Sequence, residues 1–185
     1  KIVLLKNQII EKIRHLMFNG FQAAIISDYA KGFISGELVS EIKKLGCPVY
    51  VDPKQNKEFY HNIELIKPNR KELASLAKGE TDEERIANLS AELNTNVLLT
   101  LGEDGMIYSG RNGEIFSLAA HAVDVSDVTG SGDTVIATFV FYRTLGKSVK
   151  ESLELANLAA SINVQHVGCY RVKREELENQ KVLAD

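Results

Sequence analysis

The residues Asp127-Val128-Thr129-Gly130-Ser131-Gly132-Asp133-Thr134 hold the strongest chemical signal in the sequence. Two glycines and a serine let the backbone approach a ligand closely. The segment is read as following a strand and opening a helix that carries Val135, Ile136, Phe139 and Val140. The first amides of such a helix have no intrahelical partner, and with the helix dipole they form an anion site. Asp133 falls in the first turn. A carboxylate beside a phosphate cluster has a natural task in accepting the proton of an attacking alcohol during phosphoryl transfer, while the amides of Gly130, Ser131 and Gly132 stabilise charge on the transferred group. Taken alone, the loop also fits a plain turn in which Asp133 only caps the helix.

Two rival phosphate motifs fail. Gly146-Lys147-Ser148 resembles the end of a P-loop, but Phe141 stands where that motif requires glycine. No Gly-x-Gly-x-x-Gly opens an early helix, so a dinucleotide site is unsupported.

The elements that must position this loop alternate between strand and helix. Ile9, Ile10, Ile13, Leu16 and Met17 recur at helical spacing over 8–19, closed by Gly20. Ala23 to Ser27 reads as a buried strand. Ser35 caps a helix with Leu38, Val39, Ile42 and Leu45 inward. Val49–Val51 and Ile63–Ile66 are strands, 70–77 a short helix, and Thr81 with Glu84 a capping box before a helix over 82–93. Val97–Leu101 is a strand. Residues 105–118 form a hairpin turning at Arg111-Asn112-Gly113. Helices follow over about 131–145 and 149–165, the second with a Ser148/Glu151 capping box. Buried strands joined by helical crossovers form a parallel sheet covered on both faces, with ligands at the carboxyl ends of the strands.

The chain has 185 residues, 44% hydrophobic and 25% charged, the balance of an ordinary globular domain, and reads as one domain over 1–185. A net charge of -3 with scattered Lys and Arg gives no case for nucleic acid or an anionic membrane. Cys47 and Cys169 lack metal-type spacing and read as buried free thiols in a reducing, cytoplasmic compartment. The Asn88-Leu89-Ser90 sequon lies in a helical pattern and is set aside. No stretch is long and apolar enough to span a membrane, and no signal peptide is present. The chain starts at Lys1 with an amphipathic segment and reads as part of a longer protein.

With these residues in place, the sequence resembles the ribokinase-like, or PfkB, carbohydrate kinases, whose signature is Asp-Thr-x-Gly-Ala-Gly-Asp. Here Val128-Thr129 and Ser131 are the departures. The resemblance runs from about residue 7 to 178 and implies a three-layer α/β/α sandwich with a mostly parallel sheet, with the N-terminal part and lid of the family absent. It implies ATP and Mg²⁺ as cofactors. Asn69 and Glu72 match the family's Asn-x-x-Glu, with Glu72 holding Mg²⁺ through water, in keeping with the metal's preference for few carboxylates and several waters. Thr100, Gly102 and Gly105 resemble the nucleotide loop. Asn157 matches the position beside adenine, where Ala160 would keep the surface close to the base. Asp127 is a candidate for the monovalent (K⁺) site of some members.

Ser27-Asp28-Tyr29-Ala30-Lys31-Gly32 and Val51-Asp52-Pro53-Lys54 further resemble the heptose 7-phosphate kinase domain of the bifunctional enzymes of ADP-heptose synthesis, which serve lipopolysaccharide. The resemblance implies phosphorylation of D-glycero-β-D-manno-heptose 7-phosphate at C1. Lys31 and Lys54 would face the anionic groups of substrate and ATP, and Asp28 and Asp52 would hold these lysines or help organise metal. It also implies a nucleotidyltransferase domain after this region and a homodimer formed through the lid. Another sugar or sugar phosphate as acceptor, or a non-catalytic nucleotide-binding fragment, are the alternatives.

Overall fold

A computed structural model describes residues 2–18 and 20–184, with side chains described over 7–15 and 20–179. The elements are α1 (Ile2–Phe18), β1 (Ala24–Ser27), α2 (Gly36–Lys43), β2 (Val49–Asp52), β3 (Leu65–Ile66), α3 (Arg70–Leu76), α4 (Asp82–Leu93), β4 (Asn96–Thr100), β5 (Met106–Ser109), β6 (Ile115–Leu118), α5 (Ser131–Thr144), α6 (Val149–Val164) and α7 (Arg174–Ala184). The six strands lie in one sheet in chain order, and β1 to β4 pair in parallel. Ile9, Ile10 and Ile13 of α1 are partly buried, as their spacing predicts, while Leu16 and Met17 lie outside the described side chains.

The chain forms two compact units. The first comprises Lys1–Leu99 and Tyr108–Ile115. Every residue of β2 is buried, as are Asn96 to Leu99 of β4. A strand sealed at successive positions is covered on both faces, which is why these segments read as continuous apolar runs without alternation. Leu38, Val39, Leu73, Leu89 and Leu93 supply the helical side of that core. Each such side chain contributes about 1.5–3 kcal/mol by leaving water. The distant 108–115 turn joins this unit through polar bonds: Arg111 N donates to Asn96 Oδ1 at 3.0 Å, and the Arg111 guanidinium pairs with Glu64 at 3.0 Å.

β1 departs from the expected buried strand. Ile25 is 44% exposed and only Ile26 of the strand's residues is buried, because successive side chains of β1 point to opposite faces and the face carrying Ile25 is less covered. The Thr81/Glu84 box is half formed. Thr81 accepts from Glu84 N, but the Glu84 carboxylate reaches past Thr81 to Glu80 N at 2.8 Å. The Ser148/Glu151 box is complete, and its two-way bonding holds the Glu151 carboxyl down at about 2.

The second unit comprises Thr100–Ile107 and Phe116–Asp185. α5 packs against α6, and Tyr142, Leu155, Ala159, Ile162 and Leu177 form its apolar cluster. The segment before α5 is not the expected strand. Its irregular backbone is tied to the end of α6, with Ser126 N and Asp127 N both donating to Val164 O. Both cysteines are free thiols as expected, but Cys169 is exposed and Cys47 only half-buried, because each lies in a connection and not in a core-facing element. Among the described residues no helix is long and apolar enough to cross a membrane.

Candidate active site

In the first unit the candidate residues gather just past the carboxyl ends of β2 and β3. The parallel register sets Val51 beside Ile66, so the residues that follow, Asp52 and Lys67, come level with each other. Both are buried, and Lys67 Nζ lies 3.3 Å from Asp52 Oδ1. Among the described residues no well-aligned hydrogen bond reaches that oxygen, so the contact is chiefly electrostatic. Burial pushes the Asp52 carboxyl up, Lys67 pulls it back, Glu72 adds to the rise and Lys54 opposes it, with a net upward result.

Asn69 and Glu72 form a reciprocal capping box at the start of α3. Asn69 Oδ1 accepts from Glu72 N at 2.9 Å, and Glu72 Oε2 accepts from Asn69 N at 2.8 Å. The other carboxylate oxygen of Glu72 accepts from Lys54 Nζ. Burial pulls Lys54 down, but Glu72 and Asp52 outweigh it, so its ammonium form is favoured. Lys54, Asn69 and Glu72 are thus brought together, while Lys31 stands exposed on the loop after β1.

Asp28 and Asp52, expected to hold Lys31 and Lys54 or to help organise metal, have other direct partners, although Asp52 still acts on Lys54 through its charge. Asp52 faces Lys67, Lys54 binds Glu72, and Asp28 accepts from the hydroxyl of Tyr60 at 2.6 Å. The Asp52–Lys67 pair follows strand register, which neighbours in sequence do not reveal. Sequence reasoning gave no role to Lys67 or Tyr60. A lysine directly after the apolar run that ends in Ile66 is a usable signal for the first; nothing in the sequence marks Tyr60.

In the second unit, Asp127 fastens the glycine-rich loop. Its Oδ1 accepts from Thr129 N at 2.9 Å and Thr129 Oγ1 at 2.7 Å, and its Oδ2 accepts from Gly168 N at 2.9 Å. The Thr129 and Gly168 bonds hold this carboxyl below the usual carboxylate range. Gly130 is the N-cap of α5 at φ +78°, and no side chain caps the helix there. The N-cap itself offers no side chain to the leading amides of α5, and Ser131 N donates to Val128 O at 3.2 Å. Asp133 is exposed in the first turn.

The other nucleotide candidates differ in their local commitments. A Cβ on Gly105 would stand 2.0 Å from Leu118 O, so glycine is required there by the fold itself. Gly102, at φ +65°, has open space around it. Thr100 ends β4, partly buried. Asn157 is buried on α6 and donates from Nδ2 to Ala119 O at 2.8 Å, which ties α6 to the strand-to-loop connection.

The family model for pfkB family carbohydrate kinases matches residues 3–176. The bifunctional protein HldE of Campylobacter curvus is 38% identical over 186 residues, covering 94% of this chain and 39% of the relative. HldE of Coxiella burnetii is 36% identical, covering 91% and 37%. The chain thus spans about two fifths of the curated relatives it matches. Among solved structures, Arabidopsis thaliana ribokinase with ribose and ATP superposes with a TM-score of 0.76 at 25% identity, over 93% of this chain and 58% of that one. Escherichia coli phosphofructokinase-2 in complex with potassium gives 0.79 at 17% identity, over 95% and 62%, a likeness of fold. Match, relatives and architecture agree: the chain has the ribokinase-like α/β fold and belongs to the pfkB family of carbohydrate kinases.

Proposed function

We propose that the full-length protein transfers the γ-phosphoryl group of ATP to the C1 hydroxyl of a heptose 7-phosphate, and that Asp133 is the base. The observation that carries this reading is the start of α5: a left-handed glycine N-cap with no side-chain cap bond, and an exposed carboxylate in the first turn. In the reaction the hydroxyl oxygen bonds to the γ-phosphorus, the bond from that phosphorus to the bridging oxygen of ADP breaks, and the hydroxyl proton passes to the Asp133 carboxylate. The amides of Gly130 and Gly132, and that of Ser131 once it leaves Val128 O, to which it donates at 3.2 Å, take up charge on the phosphoryl oxygens. Thr100, Gly102 and Gly105 line the nucleotide side, with Asn157 near the base.

The donor set of the first unit suits Mg²⁺ in an outer shell. Glu72 has both oxygens engaged, by Lys54 and by Asn69 N, so water-mediated contact is the chemistry it offers. Bound there, Mg²⁺ would neutralise phosphate charge. Asp127 already accepts three hydrogen bonds, so its first task is to hold the loop, and a K⁺ ion beside it would share what acceptor capacity remains.

The choice of acceptor rests on likeness to the HldE proteins and on Lys31 and Lys54, cations suited to a sugar that already carries phosphate. A fused nucleotidyltransferase domain in the parent protein fits the share of those relatives that this chain spans. The test is an acceptor panel with the full-length protein: heptose 7-phosphate, fructose phosphate, tagatose phosphate and ribose, with the phosphorylated position located by phosphorus NMR. Selective formation of the 1,7-bisphosphate supports the reading. Preference for another sugar refutes the acceptor, and ATP binding with no product from any of them refutes the kinase.

A further inference from the structure

Asp28 is 3% exposed, just past the carboxyl end of the edge strand β1. Its two oxygens are divided between two tasks. Oδ2 accepts from the hydroxyl of Tyr60, itself fully buried, at 2.6 Å, and Oδ1 accepts from Ala30 N at 2.8 Å. Ala30 has φ +54°, a left-handed conformation that costs an alanine free energy, and Gly32 follows at φ +77°. Lys31 therefore sits between two left-handed residues, and the first of them is locked by Asp28. Tyr60 ends the 3-10 turn Lys57–Phe59 after β2 and reaches back to Asp28 from a segment 32 residues away. A strained backbone persists where its surroundings over-determine it, and such strain gathers at ligand clamps.

We propose that Tyr60 and Asp28 are a positioning pair that fixes the loop after β1 so that Lys31 meets the phosphate already present on the acceptor sugar. The inference rests on the proposed reading of Lys31 as a phosphate contact. Tyr60 touches no substrate in this account; it acts through Asp28, Asp28 through the Ala30 amide, and the amide through the loop conformation. Without the hydroxyl, Asp28 is free to turn, the Ala30 bond loosens, and the ammonium of Lys31 samples a wider volume.

The test uses the full-length protein and initial rates with heptose 7-phosphate. Tyr60→Phe, which removes only the hydroxyl, is expected to raise the acceptor KM about three- to tenfold while leaving the ATP KM in place. Lys31→Ala is expected to raise the acceptor KM by about tenfold or more. The double variant should lie within about twofold of Lys31→Ala alone, because the hydroxyl acts through the lysine. A general weakening of the fold would move both KM values and add to the lysine effect. If Lys31→Ala raises the acceptor KM and Tyr60→Phe does not, or if the two effects multiply, the positioning inference is overturned and the Lys31 reading stands. If Lys31→Ala leaves the acceptor KM unchanged, the Lys31 reading itself falls. Should Tyr60→Phe not fold, Asp28→Asn leaves residue 28 one acceptor oxygen for the two donors, Tyr60 Oη and Ala30 N. An acceptor KM raised in that variant supports the inference, and an unchanged one refutes it.

Discussion

Replacing Lys67 by methionine keeps most of the side-chain volume and removes the charge that faces Asp52. Lys67 is 2% exposed and Asp52 8%, so water cannot take over the role of the lost ammonium. Breaking a buried pair by removing one partner costs about 3–5 kcal/mol, because the remaining charge is uncompensated. The carboxyl of Asp52 is already pushed up by burial and by Glu72, and loss of Lys67 pushes it further. A carboxyl raised in the folded state favours folding when protonated and opposes it when ionised. The penalty is therefore full at neutral pH and shrinks as pH falls toward the unfolded value. If the variant keeps Asp52 protonated at pH 7, that protonation costs about 1.4 kcal/mol for each pH unit above an unfolded value near 3.9, so going from pH 7 to pH 5 returns about 2.7 kcal/mol. Urea denaturation followed by circular dichroism is the assay, since the sequence contains no tryptophan. With a slope near 2 kcal/mol/M, a loss of about 3 kcal/mol moves the midpoint down by roughly 1.5 M at pH 7. Asp52→Asn added to Lys67→Met should recover much of the loss. A loss below about 1 kcal/mol, or one of equal size at pH 5 and pH 7, would refute the argument that Asp52 depends on Lys67 for its charge.

The two glycines of the 102–105 turn should part company. Gly105→Ala forces a Cβ to within 2.0 Å of Leu118 O and should lower the melting temperature by far more than Gly102→Ala, which meets open space and bears only the left-handed penalty of about 1–2 kcal/mol; equal melting temperatures would contradict the geometry. Asp127→Asn keeps an acceptor for Thr129 but turns a donor toward Gly168 N, so the glycine-rich loop loosens and the ATP KM rises, which initial rates measure. In the unaltered protein the same fastening holds above the ordinary carboxylate value and is lost as pH falls through the depressed one, which nucleotide titrations below about pH 4 would follow.

The parts legible in the sequence are those fixed by local chemistry. The glycine pattern before Asp133 marks a helix start, and the structure has its N-cap at Gly130. The Ser148/Glu151 box and the Arg111-Asn112-Gly113 turn depend on residues a few positions apart, and they form where the spacing predicts. What was not legible depends on register and position in the sheet. Ala24 to Ser27 reads like β2, yet Ile25 is exposed because its face of β1 is less covered than the face that carries Ile26. Asp52 belongs with Lys67 only once Val51 is known to lie beside Ile66. Tyr60 finds Asp28 across a gap in sequence that no periodicity spans. Glu84 prefers the Glu80 amide to that of Thr81, a difference of one residue in backbone path that propensity does not resolve.

Asp133, in the first turn of α5, is the proposed proton acceptor. The direct measurement is the turnover of full-length Asp133→Asn with ATP and heptose 7-phosphate, made beside calorimetric titration of ATP. The expected result is a kcat lower by about 10²–10⁴ with nucleotide affinity retained. Near-normal turnover in that variant would contradict the assignment of the base and the mechanism built on it.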